Sequence, residues 1–395
     1  MISFDQAATI VADAATPLGG ERVSIGDAHR RVLAEPVVAR VDSPPADVSA
    51  MDGYAVREKD LLSLPARLRL IGQSFAGLGF QGSVSPGNCA RIFTGAPVPE
   101  GADRVVIQEM VRREGDIAVI DDHPGAARHI RSLGSDFQQG AVLVESGTRL
   151  GYRQLVAAAG ADLADVKVWR RPALIILGTG DELAEPGSAA VKAGAIPESV
   201  SFGVTALADE WGASIKDRIR LPDNLTTMEQ AAARVLDQAD LVVVTGGASV
   251  GEKDFAKAMF KRQGLELLFS KVAIKPGKPV WLGRAKGKLV MGLPGNPTSA
   301  LVTARLLLAP LVAGLSGLDP QSALRWRKTT LLAPLPACGD RETFVRAREF
   351  PDGVEPVSSQ DSSAQKMLVD ADLLLRRRAG AMPAAAGDSI FVLDF

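Results

Sequence analysis

The chain has 395 residues, of which 46% are hydrophobic and 23% are charged, and its formal net charge is −1. This composition is typical of an ordinary globular protein, and the length predicts about two to four domains. Because the charges nearly cancel, no general field attracts nucleic acid or an anionic membrane, and we expect neither as a partner. Two widely separated cysteines and three histidines also argue against a zinc cluster and a histidine-rich metal site.

The N-terminal segment carries acids where a signal peptide requires positive charge, and it predicts an amphipathic helix capped by Ser3. We therefore expect a cytoplasmic protein. Residues 41–140 are rich in glycine and proline, with short β-like runs at 67–71 and 104–107. The pattern GLGFQG at 77–82 has the spacing of a dinucleotide-binding loop. It leads into SVSPG rather than into a helix, so we interpret it as a plain loop.

Apolar runs alternate with helical patterns from about 170 to 318. We predict strands at 173–177, 241–244 and 289–291, and helices at 200–211 and 231–238. This alternation is typical of βαβ units that build a largely parallel sheet.

The last part of this region, 300–318, is apolar enough to suggest a membrane span. Arg305, Pro310 and Gly314 favour instead a buried helix and the segment by which the chain leaves it. The basic cluster RWRK at 325–328 marks a junction and is interpreted as a solvated linker. Short strands are predicted after it, at 343–348 and 389–393.

Three of the predicted strands end in loops of unusual composition. These are GTGDEL at 178–183, TGGASVGEKDF at 245–255 and GLPGNPTS at 292–299. Ligands of open parallel sheets bind beyond the carboxyl ends of the strands, and glycines allow backbone N–H groups to approach an anion. We therefore predict a phosphate cradle. It is not a P-loop, because Glu252 stands where that motif requires lysine.

Acids and lysines flank this predicted cradle. Asp181, Glu182, Glu252 and Asp254 would repel a phosphate unless a cation neutralised them, and Mg²⁺ is commonly held by one or two carboxylates together with phosphate oxygens. Helix capping is the alternative explanation for acids at such positions. For Asp254 both interpretations stay open, whereas for Asp181 and Glu182 we favour a functional role. The stretch KVAIKPGKP at 271–279 adds lysines in a frame stiffened by proline, which suits an oxyanion.

Six motifs occur in an order that resembles one family over essentially the whole chain. They are SAMDGYA at 49–55, TGA at 94–96 with GAD at 101–103, TGDEL at 179–183, TGGASVG at 245–251, KPGKP at 275–279 and GLPGNP at 292–297. Together they resemble the molybdopterin molybdenumtransferases: bacterial MoeA, the gephyrin E domain and the plant molybdenum insertase.

The resemblance implies an α/β multidomain fold. Its parts are a central molybdopterin-binding-like α/β domain with a mostly parallel sheet, a β-rich N-terminal lobe, a small linker α/β region and a C-terminal β-barrel-like domain. The corresponding boundaries are residues 1–26 for an N-terminal helix region packing on the central domain, 27–40 with 141–168 for the linker, 41–140 for the lobe, 169–320 for the central domain and 325–395 for the C-terminal domain.

The implied activity is insertion of molybdate into adenylylated molybdopterin, with Mg²⁺-dependent release of AMP. Members of the family are elongated homodimers in which both chains line the site. Molybdopterin adenylyltransferase and molybdoenzyme chaperones are further expected partners. The alternative is a non-catalytic protein of the same family that binds or delivers molybdopterin or the molybdenum cofactor, or that serves as a scaffold. The adenylyltransferase that shares the central domain is a third possibility, and the lobes on both sides argue against it.

Matching positions assign roles residue by residue. Catalytic roles fall on Asp52, Thr94, Asp136, Glu182, Asp223 and Asp254. Substrate binding falls on Thr179, Gly180, Gly246, Gly247, Ser249, Gly251, Lys271, Lys275, Lys278, Pro294, Gly295, Asn296, Pro297 and Ser299. Molybdate binding falls on Arg341, Arg346, Ser362 and Ser363, and Mg²⁺ binding on Asp181, Glu182 and Asp254. Asp52, Thr94 and Asp136 would act in the site of the partner chain.

Simpler explanations remain for some of these residues, since Asp52 could shape a turn and Arg346 could pair with Glu349. The sequence also departs from the family pattern. PESV stands at 197–200, where an Asp-Ser-Asn element is usual, Gly178 replaces a common serine, and SSQDSSAQ at 358–365 is atypical. We expect these changes to leave the fold intact and to bear on catalytic competence.

Overall fold

The structure, a computed structural model, describes residues 1–246 and 255–395. A mixed sheet forms the centre of the molecule. Its strands in spatial order, within those residues, are Ser214–Leu221, Ala173–Thr179, Leu241–Thr245, Lys288–Leu293, Trp281–Ala285 and Glu266–Phe269. The strands from Ser214–Leu221 to Lys288–Leu293 in this order are parallel, and Trp281–Ala285 runs antiparallel to both of its neighbours. The predicted parallel sheet is confirmed, with longer strands than the apolar runs indicated.

The strand Ala173–Thr179 is buried on both faces of this sheet. Leu174 and Ile176 contribute to one hydrophobic core, and Ile175 and Leu177 contribute to another. Successive side chains of a strand point to opposite faces, so a strand covered on both sides requires a continuous apolar run. The run at 173–177 therefore reflects helices on both faces of the sheet.

Helices that contribute to the two hydrophobic cores provide those covers, whereas Tyr152–Gly160 packs in the linker region and Lys366–Val369 lies in the C-terminal region. In the described residues the α-helices are Phe4–Ala14, Tyr152–Gly160, Val200–Glu210, Leu225–Leu236, Phe255–Ala258, Pro297–Thr303, Ala309–Leu315 and Lys366–Val369, with a π-helical turn at Ala304–Leu308. The helix predicted at 231–238 begins six residues earlier. Asn224 caps it by accepting a hydrogen bond from the N–H of Thr227 at 3.0 Å, a signal that lies outside the apolar pattern.

Among the described residues, one helical segment, Pro297–Leu315, is long and apolar enough to cross a membrane. In its most apolar window 94% of the residues are buried inside the protein. It is a core helix, as predicted.

The N-terminal helix joins the central core to the C-terminal sheet. Ser3 and Gln6 form a capping box at its start, so the predicted cap is confirmed. Its Phe4 ring meets Phe344 edge to face, with ring centres 5.0 Å apart, and also contacts Trp326. Trp326 is therefore packed against the core, and Arg327 begins a strand. The interpretation of 325–328 as a solvated linker agrees with the exposure of Arg325, Arg327 and Lys328 but not with the position of Trp326.

The region 41–140 contains its own sheet. Its described strands in spatial order are Arg104–Ile107, Gly53–Val56, Asn88–Ile92, Ala66–Ser74, Ile117–Ile120 and Arg112–Glu114. We call residues 41–140 the β lobe. Residues 77–82 form an irregular loop in it, as predicted. Short pairs link the rest: Gly20–Ser24 with Asp165–Trp169, Val37–Val38 with Val142–Val144, and Val48–Ser49 with Ile130–Arg131.

The C-terminal sheet runs Ile274–Lys275, Glu342–Phe350, Leu373–Arg377, Ser389–Asp394 and Arg327–Thr330, with Gly353–Pro356 paired to Glu342–Phe350. Its first strand comes from the KPGKP segment and pairs in parallel, Ile274 with Glu342 and Lys275 with Thr343. The lysine segment of the central domain is therefore fixed to the C-terminal sheet.

Candidate active site

The described parts of the three glycine loops meet at the carboxyl edge of the central sheet. Gly178 is paired with Thr245, and Thr245 is paired with Leu293, so the strands end side by side. The hydroxyl of Thr179 donates to the carbonyl of Thr245 at 3.3 Å. The juxtaposition expected from parallel strands is therefore present.

Close backbone contact explains the glycines. A Cβ on Gly246, which has φ of +87°, would lie 2.6 Å from the carbonyl oxygen of Thr179. A Cβ on Gly295 would lie 3.3 Å from the Cα of Gly246. Any side chain would separate the loops or fill the space between them, so glycine is required for the approach. The predicted residues Gly247, Ser249, Gly251, Glu252 and Asp254 lie outside the described residues.

A cavity of about 650 Å³ opens at this meeting point. That volume suits a cofactor-sized ligand. Its lining contains the predicted residues Thr179, Gly180, Glu182, Asp223, Gly246, Pro294, Gly295, Asn296, Pro297, Ser299 and Ser363.

Carboxylates stand at one side of this cavity. The Glu182 carboxylate lies against Gly180, where a Cβ would come within 2.7 Å of it, and both residues line the cavity with Asp223. Asp181 Oδ1 accepts a hydrogen bond from the N–H of Asp223 at 3.0 Å, which ties the first loop to the segment 221–224. The described residues contain no group of three or more potential metal ligands. A cation held here would therefore need oxygen atoms from its ligand as well.

The C-terminal domain supplies the opposite rim. Ser363 and Gln365 line the cavity, and Ser362 Oγ accepts a hydrogen bond from Asn296 Nδ2 at 3.0 Å. The loop 358–365 thus contacts the start of the helix at Pro297, where the third glycine loop ends.

Arg346 holds this rim from beneath. It is 1% exposed, and its guanidinium donates to the carbonyls of Ser359 and Asp361 at 3.2 and 3.0 Å and to Thr298 Oγ1 at 3.3 Å. Burial lowers the pKa of Arg346 below its usual value, an effect that the nearby Asp361 partly offsets. The suggested pairing of Arg346 with Glu349 is wrong, because Glu349 pairs with Arg327.

The remaining predicted cations lie beside the cavity. Lys271, Lys275 and Lys278 are exposed, and only Pro279 of their segment belongs to the lining in the described part of the chain. Gly277 packs its turn against the core helix, since a Cβ there would meet Thr303 Cγ2 at 2.1 Å. Arg341 Nη1 lies 3.5 Å from the carbonyl of Ile274. We call the lysine segment and Arg341 the basic edge; it reaches the cavity lining at Pro279.

The predicted residues of the β lobe are outside the cavity lining. Asp52 Oδ1 accepts hydrogen bonds from the backbone N–H and the hydroxyl of Thr94, at 2.7 and 2.8 Å. These bonds lower the pKa of Asp52 below its usual value. Asp136 is exposed, and its backbone N–H donates to the carbonyl of Ser43. Asp52, Thr94 and Asp136 therefore lie in one lobe, as predicted from the sequence, and none of them lines the central cavity of their own chain.

Sequence reasoning missed part of the lining. The atypical stretch 197–200 lies in the cavity wall, together with Ile196, Leu183 and Thr245. Glu198 is buried there and accepts a hydrogen bond from the N–H of Ser201, near Arg218 Nη1 at 4.0 Å. The available signal was its place just before the helix Val200–Glu210, in the segment that follows the first glycine loop.

Comparisons with known proteins agree with this architecture. Residues 2–161 match the model of the MoeA N-terminal region (domains I and II), and residues 175–314 match that of a probable molybdopterin binding domain. A molybdopterin molybdenumtransferase from Haemophilus influenzae is 39% identical over 319 residues, covering 80% of this chain and 78% of that protein. Its counterpart from Synechococcus elongatus is 32% identical over 386 residues, covering 95% and 94%.

A solved structure extends the similarity to the whole fold. The molybdopterin biosynthesis MoeA protein from Pyrococcus horikoshii superimposes with a TM-score of 0.85 over 100% of both chains, at 25% identity. The predicted α/β multidomain fold is thereby confirmed. With relatives above 30% identity over most of its length, this chain belongs to the molybdopterin molybdenumtransferases, the transferases of molybdenum cofactor biosynthesis.

Proposed function

We propose that the protein inserts molybdenum from molybdate into adenylylated molybdopterin, with Mg²⁺-dependent release of AMP. The observation that carries this proposal is the cavity in which three glycine loops, the acids Glu182 and Asp223, and the C-terminal residues Ser363 and Gln365 come together. Backbone N–H groups exposed by glycine suit the phosphates of such a substrate. The related Haemophilus influenzae protein carries the name of this activity.

The acids fit Mg²⁺ in kind. Magnesium is usually bound by one or two carboxylates and completed by water and substrate phosphate oxygens. Glu182 would supply such a carboxylate from the cavity wall, with Asp181 beside it in the same loop. Asp254, the third predicted ligand, lies outside the described residues. When bound, the ion would neutralise charge on the phosphate oxygens that leave with AMP.

Molybdate belongs on the basic edge in this proposal. It is a doubly charged oxyanion, so it requires fixed cations and hydroxyl donors. Lys271, Lys275, Lys278 and Arg341 supply the first. Ser362 supplies the second, and Ser363 would join it by exchanging its present acceptor, Asp361 Oδ1 at 2.8 Å, for the oxyanion. Arg346 acts by holding the loop that carries both serines, because its Nη1 and Nη2 atoms donate to protein oxygen atoms.

The β lobe enters the site through dimerisation. Asp52, Thr94 and Asp136 would cover the cavity of a partner chain, which gives each dimer two composite sites. Such an enzyme would work in the cytoplasm, receiving its substrate from an adenylyltransferase and passing its product to molybdoenzyme chaperones.

A turnover assay tests the proposal. Purified protein is incubated with adenylylated molybdopterin, Mg²⁺ and molybdate, and AMP is measured by chromatography while the product is used to reconstitute an apo-molybdoenzyme. We expect AMP release and active cofactor, both lost on chelation of Mg²⁺. Glu182→Gln should reduce turnover strongly, whereas Glu185→Gln, an exposed acid of the same segment, should not. Tight substrate binding without AMP release would instead identify a binding or delivery protein.

A further inference from the structure

An aromatic stack stands on the surface of the β lobe. The rings of Phe75 and Phe93 are 4.8 Å apart between centres and only 9° from parallel. Phe75 remains 44% exposed although one of its faces is covered by Phe93. The stack therefore presents an open aromatic surface.

Both members of the stack are rigidly held. The Arg91 guanidinium lies 4.8 Å from the centre of the Phe93 ring, and its nitrogens donate to the carbonyl of Gly53 and to Gln108 Oε1 at 2.8 and 2.6 Å. Phe75 belongs to a tight turn, in which Phe75 and Leu78 exchange backbone hydrogen bonds of 3.0 Å. An exposed aromatic ring fixed in this way loses little further freedom when a ligand stacks on it.

The stack adjoins the predicted catalytic pair of the lobe. Phe93 directly precedes Thr94, which donates two hydrogen bonds to Asp52. On the other side, a Cβ on Gly95 would lie 3.9 Å from the Cβ of Ala76, so the Phe75 turn contacts the turn after Thr94. A planar surface, a hydroxyl and a carboxylate thus share one small patch.

Single exposed phenylalanines are common and need no function. Here the exposed ring belongs to a parallel pair backed by a guanidinium, unlike the edge-to-face pair of Phe4 and Phe344 in the core of this protein. A parallel pair with one open face repeats the arrangement in which proteins stack nucleobases on aromatic side chains.

We infer that the Phe75–Phe93 stack is a platform for the planar heterocycle of the substrate, placed so that Asp52 and Thr94 meet the adjoining polar part. The inference rests on the proposed function, in which this lobe covers the cavity of a partner chain. The ligand is a flat heteroaromatic ring, and the adenylylated substrate contains two of them, adenine and pterin. Stacking on either uses the same surface.

Binding of AMP and of 6-hydroxymethylpterin, measured by calorimetry and by pterin fluorescence on the full chain, separates the two rings. Phe75→Ala should weaken binding of one of them about tenfold or more. Phe75→Trp, which keeps a flat aromatic face, should bind that ring at least as well as the original protein. Phe75→Leu, which keeps apolar bulk without a ring, should resemble Phe75→Ala. Leu78→Ala is the matched control, since Leu78 is 68% exposed in the same turn and should leave binding unchanged.

Several results would overturn the platform. The platform is wrong if Phe75→Ala binds both rings with unchanged affinity, or if Phe75→Leu binds them as tightly as the original protein. It is also wrong if Leu78→Ala loses as much affinity as Phe75→Ala. A change in the oligomeric state of Phe75→Ala, measured by sedimentation, would likewise count against it. If the original protein turns over its substrate while Phe75→Ala binds both rings normally, the inference fails alone. If the original protein binds neither ring and releases no AMP, the proposed function fails with it.

Discussion

The central cavity and the β lobe carry their candidate residues in opposite ways. In the central domain the backbone shapes the cavity: Gly246 lies in close contact with Thr179 and with Gly295, and all three residues line the space of about 650 Å³. In the β lobe the side chains are already organised, with Asp52 bound to Thr94 by two hydrogen bonds, but they stand on an exposed surface. The central cavity is therefore lined without Asp52 and Thr94, and these two side chains stand in the β lobe outside that cavity.

The difference suggests a division of tasks between two chains. A cavity wall made of backbone can be rigid and specific for phosphate while leaving one side open for substrate entry. Groups on a separate lobe can then close that side only when a second chain is present. In the proposed function, one chain would carry two halves of a site, and each half is testable.

Complementation between chains should give the largest effect. Asp52→Ala and Glu182→Ala homodimers should each lose about 100- to 1,000-fold in turnover, a typical cost of removing one electrostatic contribution to a transition state. A purified mixed dimer of the two variants contains one site with both changes and one with neither. It should recover about half of the turnover of the original dimer, measured as AMP release.

The control is a mixed dimer of Asp52→Ala with Asp52→Asn, in which no intact site exists. Its turnover should stay as low as that of either homodimer. A fully active monomer in sedimentation, or a mixed dimer of Asp52→Ala and Glu182→Ala without recovery, would contradict a site shared between chains.

Two arginines of the C-terminal domain should separate structure from binding. Arg346→Met should lower the free energy of unfolding by about 3 kcal/mol, because it removes the part-buried hydrogen bonds from the buried guanidinium to the carbonyls of Ser359 and Asp361. Arg341→Gln should leave stability nearly unchanged, since its side chain is 34% exposed, and should raise the molybdate concentration needed for half-maximal insertion. Chemical denaturation and molybdate titration of both variants provide the measurements. Equal stability of the two variants would show that Arg346 does not support the rim.

The glycine contact offers a smaller test of the central cavity. Gly246→Ala places a Cβ 2.6 Å from the Thr179 carbonyl at a positive φ, and Gly287→Ala has a positive φ with open space around it. Gly287→Ala, the control, should lower the free energy of unfolding by about 1 kcal/mol through the backbone conformation alone, and Gly246→Ala should lower it by about 1 kcal/mol more. Thermal unfolding measures the difference, and AMP binding should weaken only in Gly246→Ala. Identical behaviour of the two variants would mean that the loops separate without cost.

Sequence reasoning reached the central cavity because its signals are local. The apolar run at 173–177 identified a buried strand, and parallel strands place their following loops together, so the contact between Thr179 and Gly246 was predictable. The wall at 196–200 was not, because it depends on a two-residue pairing of Leu183–Ala184 with Ile196–Pro197 that has almost no local pattern. The burial of Arg346 was partly visible. In a strand it shares a face with Phe344, two residues away, but a charged side chain is normally taken as exposed.

The pair in the β lobe permits a finer test through pH. Hydrogen bonds from the N–H and hydroxyl of Thr94 lower the pKa of Asp52, so Asp52 stays ionised to lower pH than an ordinary aspartate. Thr94→Val removes the hydroxyl donor and keeps the N–H, so the pKa of Asp52 should rise toward its usual value. Thr94→Ser keeps both donors and should not change it. Carbon-detected NMR titration of the Asp52 carboxyl measures the shift directly.

The same change should appear in catalysis if ionised Asp52 is the active form. Because the folded-state pKa of Asp52 is depressed, its charged form is lost only as pH falls through that lowered value. Raising the pKa in Thr94→Val should therefore move the acid limb of kcat/KM to higher pH, with little change near neutrality. Thr94→Ser should retain the original limb. If the NMR pKa rises in Thr94→Val and the acid limb stays in place, Asp52 positions the turn around Thr94 and its charge plays no part in turnover.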